Sequence, residues 1–385
     1  MMPARIDVLI PAYNAEATIR SAVESIQRQQ GVDIAIHVVD DGSNDSTPRI
    51  LAEMATADPR LKVHSKPNGG IVDALNTGLD QCEGEFVARH DADDIAYPER
   101  LAVQLAYLAS YHEVSAVGAA VRHIDGAGRM IGSIARLESP DNADPFYVPS
   151  REPYLIHPFL MVRRAAIETA GRYRYVHHAE DTDLYWRLSE RGRLHNLPDI
   201  LGEYRLHDAS ISGSSIVNGR IMAVNSQLAG LSARRRRCGN GDIHFPKETL
   251  AAYKRAGSLP AMIEVAAGLL DKSERADLEE AAAAKLLELT SYRPYELDAE
   301  DCAFIGHVAR RGFAHLSAEN RALQVRRISG AAARLAAKGE IRAALALVPT
   351  GLYPAFAARF LSRVALPERL RGALRGASAK AAPVK

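Results

Sequence analysis

Three aspartates stand within four positions in the stretch EFVARHDADDIAYPERL, which runs from residue 85 to residue 101. Asp91, Asp93 and Asp94 repel one another when they are ionised, and a bound divalent cation relieves that repulsion because it is the largest charge nearby. Mg²⁺ sites commonly use one or two protein carboxylates and take further oxygen ligands from phosphate groups. The stretch therefore predicts a metal site that serves a phosphorylated substrate.

A structural role is the alternative for these aspartates, since Asp91 can end a strand while Asp94 caps the helix that begins near Pro98. A second acidic pair favours chemistry. In VVDDGSNDST, Asp40 and Asp41 also follow an apolar run, and Ser and Asn residues that can cap a helix come next. An acceptor at this point can bind a nucleobase N–H or a sugar hydroxyl.

Two further motifs complete the set. PAYN contributes Tyr13, an aromatic suited either to stacking on a base or to a half-buried turn. HHAEDTDLYWRLSERG places Glu180 and Asp181 before an amphipathic helix, where Asp181 can be a plain N-cap and Glu180 can interact with the helix dipole. A carboxylate held there also meets the needs of a general base, which are a fixed position and access to an acceptor hydroxyl.

Short β-rich runs alternate with amphipathic segments up to about residue 196. The predicted strands are IDVLI, IAIHVV, LKVHS, EFVARH and VSAVGAAV, and the helical segments include AEATIRSAVESIQRQ and PERLAVQLAYLASY. This alternation predicts βαβ crossovers and a mainly parallel sheet with helices on both faces. Because polar motifs follow the first four strands, we expect them to meet in one crevice at the carboxyl edge of the sheet.

The bulk composition excludes several classes of protein. The 385 residues are 47% hydrophobic and carry a net charge of +1, so nothing global directs the chain to nucleic acid. Cys82, Cys238 and Cys302 are widely spaced and form no CxxC, which is typical of a reducing compartment rather than of a disulfide framework or a zinc site. No stretch of about 18 uninterrupted apolar residues occurs, so we expect no membrane-spanning helix.

Ala, Leu, Glu and Arg dominate beyond about residue 215, which predicts a helical region with breaks at 239–242 and 293–294. We expect a sheet domain over 1–214 and a helical region over 215–385 that is basic from about residue 330. Residues 330–385 carry ten Lys or Arg against two Glu, a net charge of +8. Within them, LYPAFAARFLSRVAL fits an interfacial helix on an anionic membrane, and a soluble subdomain with a solvated basic face fits equally well.

Four of these stretches resemble, in order and spacing, the inverting glycosyltransferases of family 2, which have the GT-A fold. They are VLIPAYNAEATIRSAVESIQRQ, VVDDGSNDST, KPNGGIVDALNTGLDQCEGEFVARHDADD and AEDTDLYWRL. The resemblance covers roughly residues 5–210 and leaves the helical region outside it. It implies an α/β GT-A catalytic domain, with a Rossmann-like sheet, over residues 1–214.

The resemblance also implies how a nucleotide-sugar donor is bound. Pro11, Tyr13, Glu16 and Asp41 would line the nucleoside pocket, with Asp41 accepting a hydrogen bond from the base. Asp91 would lie beside the ribose and the diphosphate. Together with His207, these five residues are the expected donor-binding set.

The metal and the catalytic base follow from the same resemblance. Asp93 would bind Mn²⁺ or Mg²⁺, and Asp181 would take the proton from the acceptor hydroxyl as it attacks the anomeric carbon. His207 in GEYRLHDASIS would approach the diphosphate or the metal, or be a structural histidine. Arg205 would act similarly or pair with a surface acid, and His157 is a further candidate on the acceptor side.

The implied activity is transfer of a sugar from a nucleotide-sugar, expected to be a UDP-sugar, to a hydroxyl of a glycan or lipid-linked glycan. Direct displacement inverts the anomeric centre, and the expected pathway is bacterial-type surface polysaccharide or lipopolysaccharide synthesis. Processive members carry a QxxRW motif and transmembrane helices that this sequence does not show, so we expect addition of one or a few sugars. The expected location is the cytoplasm, either free or peripheral on the inner face of the cell membrane.

Three alternatives use a similar sheet or the same pockets. A sugar-phosphate nucleotidyltransferase would carry a Gly-rich loop with Lys or Arg after the first strand, where PAYNAEA stands. A dehydrogenase would carry GxGxxG there. A non-catalytic module that binds a nucleotide or a glycan, and recruits partners through its helical region, would differ by the absence of turnover.

Overall fold

The strands form where the sequence is most apolar, since strands covered on both faces require near-continuous hydrophobic runs. The computed structural model describes residues 5–206, 215–313, 316 and 318–365. Its strands are β1 Arg5–Ala12, β2 Asp33–Asp40, β3 Leu61–Ser65, β4 Phe86–Arg89, β5 Ile95–Ala96, β6 Val114–Ile124, β7 Met130–Ala135, β8 Met161–Arg163 and β9 Arg193–Arg205. Its α-helices are α1 Ile19–Gln27, α2 Thr47–Ala57, α3 Ile71–Leu79, α4 Arg100–Ser110, α5 Arg164–Thr169, α6 Glu180–Ser189, α7 Ile216–Arg237, α8 Thr249–Ala256, α9 Leu259–Ala267, α10 Lys272–Leu289, α11 Ala299–Arg310, α12 Ala318–Ala337, α13 Ile341–Leu347 and α14 Tyr353–Ala365.

The strands make one mixed sheet in the order β3-β2-β1-β4-β8-β6-β9-β5, with β7 paired to β6. The first half, β3-β2-β1-β4, is parallel throughout, as the βαβ pattern predicts. The second half mixes directions: β6 runs parallel to β9, whereas β8, β7 and β5 pair antiparallel with their neighbours. The five predicted strands are confirmed, and the parallel pattern holds for the half that carries the polar motifs.

Helices cover both faces of the sheet because side chains alternate along each strand. On β1, Val8 and Ile10 belong to a core cluster that includes residues of α1, α2 and α4. Leu9, between them, belongs to a second cluster that includes residues of α3 and α6. In register, Ala12 of β1 lies opposite Asp40 of β2, so these strands end at the same edge.

The chain divides into two units. The first comprises Met1–Asn142, Pro153–Tyr175 and Glu180–His207, and the second comprises Ala143–Glu152, Val176–Ala179 and Asp208–Lys385. The sheet and α1–α6 belong to the first unit, and α7–α14 belong to the second. The predicted boundary after residue 214 assigns the short segments 143–152 and 176–179 to the sheet domain, whereas the structure groups both segments with the helical second unit.

Buried polar contacts explain why the segment 143–152 belongs with the helices. The side chain of Glu152 is fully buried, and its Oε2 accepts a hydrogen bond from Lys285 Nζ at 2.8 Å. The backbone N–H of Ser150 donates to Gln227 Oε1 at 2.8 Å. Because each partner lies more than 70 residues away along the chain, no local pattern in the sequence indicates these bonds.

The second unit is helical, as predicted, and both predicted breaks are confirmed. α7 ends at Arg237 before Gly239, whose φ of 74° favours glycine, and the chain between α10 and α11 contains Pro294. Among the described residues, no single helix is long and apolar enough to cross a membrane. α13 and α14 pass that test only as a pair, and they are bent by 108° at the break between them.

α6 carries the Glu180–Asp181 pair, and a buried ion-pair network in the first unit holds this helix in place. The fully buried Asp183 accepts hydrogen bonds from Arg174 Nε at 2.9 Å and from Arg187 Nη2 at 2.6 Å. Burial alone would raise the pKa of Asp183, but Arg187 and Arg174 outweigh it and the pKa is lowered. Removing this carboxylate would leave two cations without their buried partner.

We expect Asp183→Asn to lower the free energy of unfolding by about 3 to 5 kcal/mol, because it breaks a buried ion-pair network. Since the pKa of Asp183 is lowered in the folded state, its contribution is present above the unfolded pKa and is lost as pH falls through the folded one. Urea unfolding of both proteins at neutral and acidic pH measures it. Asp80→Asn is the control, because Asp80 is 61% exposed and its pair with Arg172 should contribute no more than about 1 kcal/mol. Equal losses for the two variants would contradict the anchoring role.

Candidate active site

The loops that follow β1 and β2 are joined by hydrogen bonds between backbone and side chains. Asn14 N donates to Ser43 Oγ at 2.9 Å, and Asn44 N donates to Asn14 Oδ1 at 2.9 Å. Ser46 N donates to Glu16 Oε2, also at 2.9 Å. Asn14 has a φ of 48°, which asparagine tolerates better than most residues. The motifs PAYN and DDGSNDS therefore form one structural element at the edge of the sheet.

Three of the predicted donor-binding residues lie in or beside this element. Pro11 is buried in β1, opposite Val39 of β2. Tyr13 is 51% exposed, so its ring is accessible for stacking. Glu16 is exposed but its carboxylate already accepts the bond from Ser46. The structure thus brings the three together, with Tyr13 as the accessible one.

Asp41 is buried and holds the loop that follows β3. Its Oδ1 accepts from Lys66 Nζ at 2.7 Å and from Gly69 N at 3.0 Å, and its Oδ2 accepts from Gly70 N at 2.8 Å. A Cβ at Gly42 would lie 2.7 Å from the backbone N of Asn68, so the close approach of the two loops requires glycine there. The expected bond from Asp41 to a base stays a prediction, and the structure adds an anchoring role that the sequence did not reveal.

The three aspartates that follow β4 lie together, since one carboxylate oxygen from each of Asp91, Asp93 and Asp94 is within 4.8 Å of the others. Asp94 is 1% exposed, and its Oδ1 accepts a hydrogen bond from the backbone N of Arg205 at 2.8 Å. Burial and the charges of Asp91 and Asp93 raise the pKa of Asp94 well above its ordinary value. Asp94 is therefore a structural neighbour, as its position near the helix suggested, while Asp91 and Asp93 remain half-exposed.

Arg89 is the cation at the centre of this cluster. It is 5% exposed, and its Nη2 lies 2.5 Å from Asp91 Oδ1. Its Nε and Nη1 are buried without a hydrogen-bond partner among the described residues. Burial raises the pKa of Asp91, Arg89 opposes that rise, and the charges of Asp93 and Asp181 add to it. Arg89 had no predicted role from the sequence. A basic residue at the end of a buried strand, just before the acidic motif, was nevertheless a usable signal.

Glu180 and Asp181 lie within the first turn of α6 rather than before it. Asp181 Oδ1 accepts a hydrogen bond from the N–H of Thr182 at 2.7 Å, so the carboxylate is fixed at the helix start. Burial raises the pKa of Asp181, against the bonds from Thr182 and the charge of Arg89. Burial and the neighbouring Asp181 charge raise the pKa of Glu180 to about 8. The bond from Thr182 and the charge of Arg89 favour the ionised form of Asp181, while its own charge favours the protonated form of Glu180.

The remaining candidates have structural partners. His157 is buried with its Nε2 2.8 Å from Tyr173 Oη, and burial lowers its pKa well below the ordinary value, so it is neutral. Arg205 Nε donates to the backbone O of Asp93 at 2.7 Å, which positions the acidic loop rather than pairing with a surface acid. His207 lies outside the described residues.

The first unit places carboxylate oxygens and buried N–H donors at the carboxyl edge of the parallel half of its sheet. Hard oxygen ligands suit Mg²⁺ or Mn²⁺, and unpartnered guanidinium donors suit phosphate or hydroxyl oxygens. Such edges bind ligands in open α/β sheets.

Comparisons with known proteins agree with this arrangement. A family model described as Glycosyl transferase family 2 matches residues 7–171. The amylovoran biosynthesis glycosyltransferase AmsE of Erwinia amylovora is 32% identical over 217 residues, which are 55% of this chain and 78% of AmsE. The chain belongs to glycosyltransferase family 2. The family assignment and the activity as a glycosyltransferase are therefore confirmed, and the predicted fold class is confirmed as a mixed α/β sheet covered by helices and followed by a helical region.

Other relatives of this chain are also named as glycosyltransferases. The putative glycosyltransferase EpsE of Bacillus subtilis is 31% identical over 52% of this chain and 73% of its own length. The O-antigen biosynthesis glycosyltransferase WbnJ of Escherichia coli is 25% identical over 55% of this chain and 83% of its own length. Among solved structures, the mannosyltransferase PcManGT of Pyrobaculum calidifontis, in complex with GDP-Man and Mn²⁺, is 18% identical with a TM-score of 0.49, covering 90% of this chain and 86% of its own.

We expect Arg89→Met to move the acid limb of the glycosyltransferase's kcat/KM profile to higher pH. The charge of Arg89 lowers the pKa of Asp91 and of Asp181, so its removal lets both carboxylates hold their protons at higher pH. Arg89→Lys is the matched control, because it keeps the charge and should leave the midpoint near the wild-type value. The profile of donor turnover against pH measures it, and identical midpoints for all three proteins would contradict the electrostatic role.

Proposed function

We propose that this glycosyltransferase is metal-dependent and inverting, and that it moves a sugar from a nucleotide-sugar to a hydroxyl of a glycan or glycolipid. A UDP-sugar is the proposed donor, and the transfer is proposed to be non-processive. The observation that carries the proposal is the Arg89-centred carboxylate cluster: Asp91 and Asp93 lie half-exposed at the edge of the sheet, within electrostatic reach of Asp181.

The carboxylates in the cluster fit a divalent cation. Asp91 and Asp93 offer half-exposed oxygens close together, whereas Asp94 is buried and holds β9 through Arg205. Asp93 is the proposed ligand of Mn²⁺ or Mg²⁺, with Asp91 beside it. When bound, such an ion would offset the charge that develops on the departing diphosphate.

The buried donors support binding of an oxygen-rich group next to the acids. Arg89 Nε and Nη1 have no partner among the described residues, and neither does the hydroxyl of Tyr185, a fully buried residue of α6. Burying a donor without an acceptor costs free energy, so these groups are suited to hold the phosphate or hydroxyl oxygens of a substrate. Their proposed role is to bind and orient, together with Tyr13 as a stacking surface for the base.

Asp181 is the proposed general base. The bond from Thr182 fixes its carboxylate, and that bond together with the charge of Arg89 favours the ionised form that can accept a proton. It would accept the proton of the acceptor hydroxyl while the hydroxyl oxygen forms the new bond to the anomeric carbon. Attack from the side opposite the leaving diphosphate inverts that carbon.

The names of the relatives support a role in surface-glycan synthesis. AmsE is named for amylovoran biosynthesis and WbnJ for O-antigen biosynthesis, so both are named for polysaccharide biosynthesis. The proposed acceptor is accordingly a glycan or lipid-linked glycan in polysaccharide or lipopolysaccharide synthesis. Free Cys82, Cys238 and Cys302 support a reducing location, for which we propose the cytoplasm.

We expect Asp93→Ala to abolish the stimulation of donor hydrolysis by Mn²⁺, because the variant lacks the proposed metal ligand. Hydrolysis of UDP-, GDP- and dTDP-sugars, each measured with Mn²⁺ and with chelator, tests this and selects the donor. Asp199→Ala is the control, since Asp199 is an exposed aspartate of β9 and should leave the stimulation unchanged. Equal nonzero rates for wild type and Asp93→Ala, with and without Mn²⁺, would contradict the metal role.

We expect Asp181→Asn to lower kcat for transfer by about 10² to 10⁴ while the donor Kd changes little, because the variant keeps the shape but cannot accept a proton. In wild type, the raised pKa of Asp181 should make kcat fall on the acid side at a higher pH than an ordinary aspartate would give. Stopped assays of transfer and calorimetric titration of the donor separate the two quantities. An unchanged kcat would rule out Asp181 as the base.

A further inference from the structure

α13 and α14, in the second unit, expose large apolar side chains that the proposed activity does not use. Ile341 is 47% exposed and Leu345 is 44% exposed, one helical turn apart on α13. On α14, Tyr353 is 39% exposed and Leu361 is 62% exposed. We refer to these four side chains as the α13–α14 face.

The outward side of α14 lacks the charged residues of a solvated helix. Phe356 and Phe360 are half-buried on the side of α14 that packs against α12. Arg359 approaches Gly330 of α12 on the same side. The opposite side presents Pro354, Ala358 and Leu361, all exposed and none charged. A surface helix of a globular protein normally turns charged side chains to water, and the outward side of α14 departs from that pattern because it carries none.

The sequence around this face is predominantly basic, although the exposed Glu340 directly precedes Ile341. Residues 341–365 contain Arg342, Arg359 and Arg363 and no aspartate or glutamate. The sequence that follows, 366–385, adds five Lys or Arg against one Glu. Long basic side chains can lay their aliphatic parts along an apolar surface while their charges reach anions at its border.

We propose that the α13–α14 face binds the surface of an anionic phospholipid bilayer. Apolar residues within a predominantly basic stretch match the interface between acyl chains and anionic headgroups. A second copy of this chain fits less well, because a symmetric contact would bring the same arginines together. The 108° bend between α13 and α14 favours a helix pair that lies in the interface over a straight span. This inference is independent of glycosyl transfer.

The test is flotation of the full chain with vesicles of phosphatidylcholine alone and of phosphatidylcholine mixed with phosphatidylglycerol. We expect binding to the anionic vesicles only, and release by high salt because the attraction of exposed charges is screened. Leu361→Glu should bind roughly tenfold to a hundredfold more weakly, since it removes one buried leucine contact and adds a repelled charge.

Met130→Glu is the matched control, because Met130 of β7 is also 62% exposed and lies in the other unit. It should bind the anionic vesicles like wild type, and circular dichroism should show that both variants remain folded. Equal binding to neutral and anionic vesicles, or equal binding by Leu361→Glu and wild type, would overturn the proposal. Retention after a high-salt wash would indicate insertion instead, and a dimer by ultracentrifugation that Leu361→Glu dissolves would indicate a second copy.

Discussion

The Arg89 guanidinium, buried among carboxylates at the end of β4, is the interaction on which the site depends. Asp91 forms an ion pair with Arg89, and the positive charge of Arg89 also lowers the pKa of Glu180 and of Asp181 on a separate helix. Without a resident cation, so many acids at one strand end would repel one another and hold protons. Burial alone would lower the pKa of Arg89, yet the charge of Asp91 and its hydrogen bond raise it, so each partner keeps the other ionised.

The sheet supplies the geometry that makes this pairing useful. Parallel strands end at one edge, and hydrogen bonds hold the loops that follow them to one another. Asp41 ties the third loop to the second, and Arg205 ties the end of β9 to the carbonyl of Asp93. The acids thus stand on a scaffold whose own polar groups are largely satisfied within the fold.

Local patterns in the sequence predicted much of this architecture. Apolar runs gave the first four strands and β6, and short polar motifs after them gave Tyr13, Asp91 and Asp93 at a common edge. Their roles remain predictions. Most of the contacts that the sequence did not reveal join residues that lie far apart in the chain.

Long-range partners explain some of those omissions, and weak local signals explain the others. Asp41 meets Gly69 and Gly70 across 28 and 29 positions, and Arg205 meets Asp93 across 112. Strands β5, β7 and β8 are short or exposed, so their apolar signal is weak. Segment 143–152 joins the helices through the ion pair of Glu152 with Lys285. Charged side chains usually lie on the surface, so the sequence does not indicate that this pair is buried.

The junction between the loops after β1 and β2 has a consequence for affinity. A loop that must become ordered when its ligand arrives loses conformational entropy at that moment, and the loss subtracts from the binding free energy. Here the backbone around Asn14 is already fixed by Ser43 and Asn44, while the ring of Tyr13 stands exposed on it. The backbone that carries Tyr13 is preorganised, so the proposed stacking of a base on its ring would lose little free energy to the ordering of this loop.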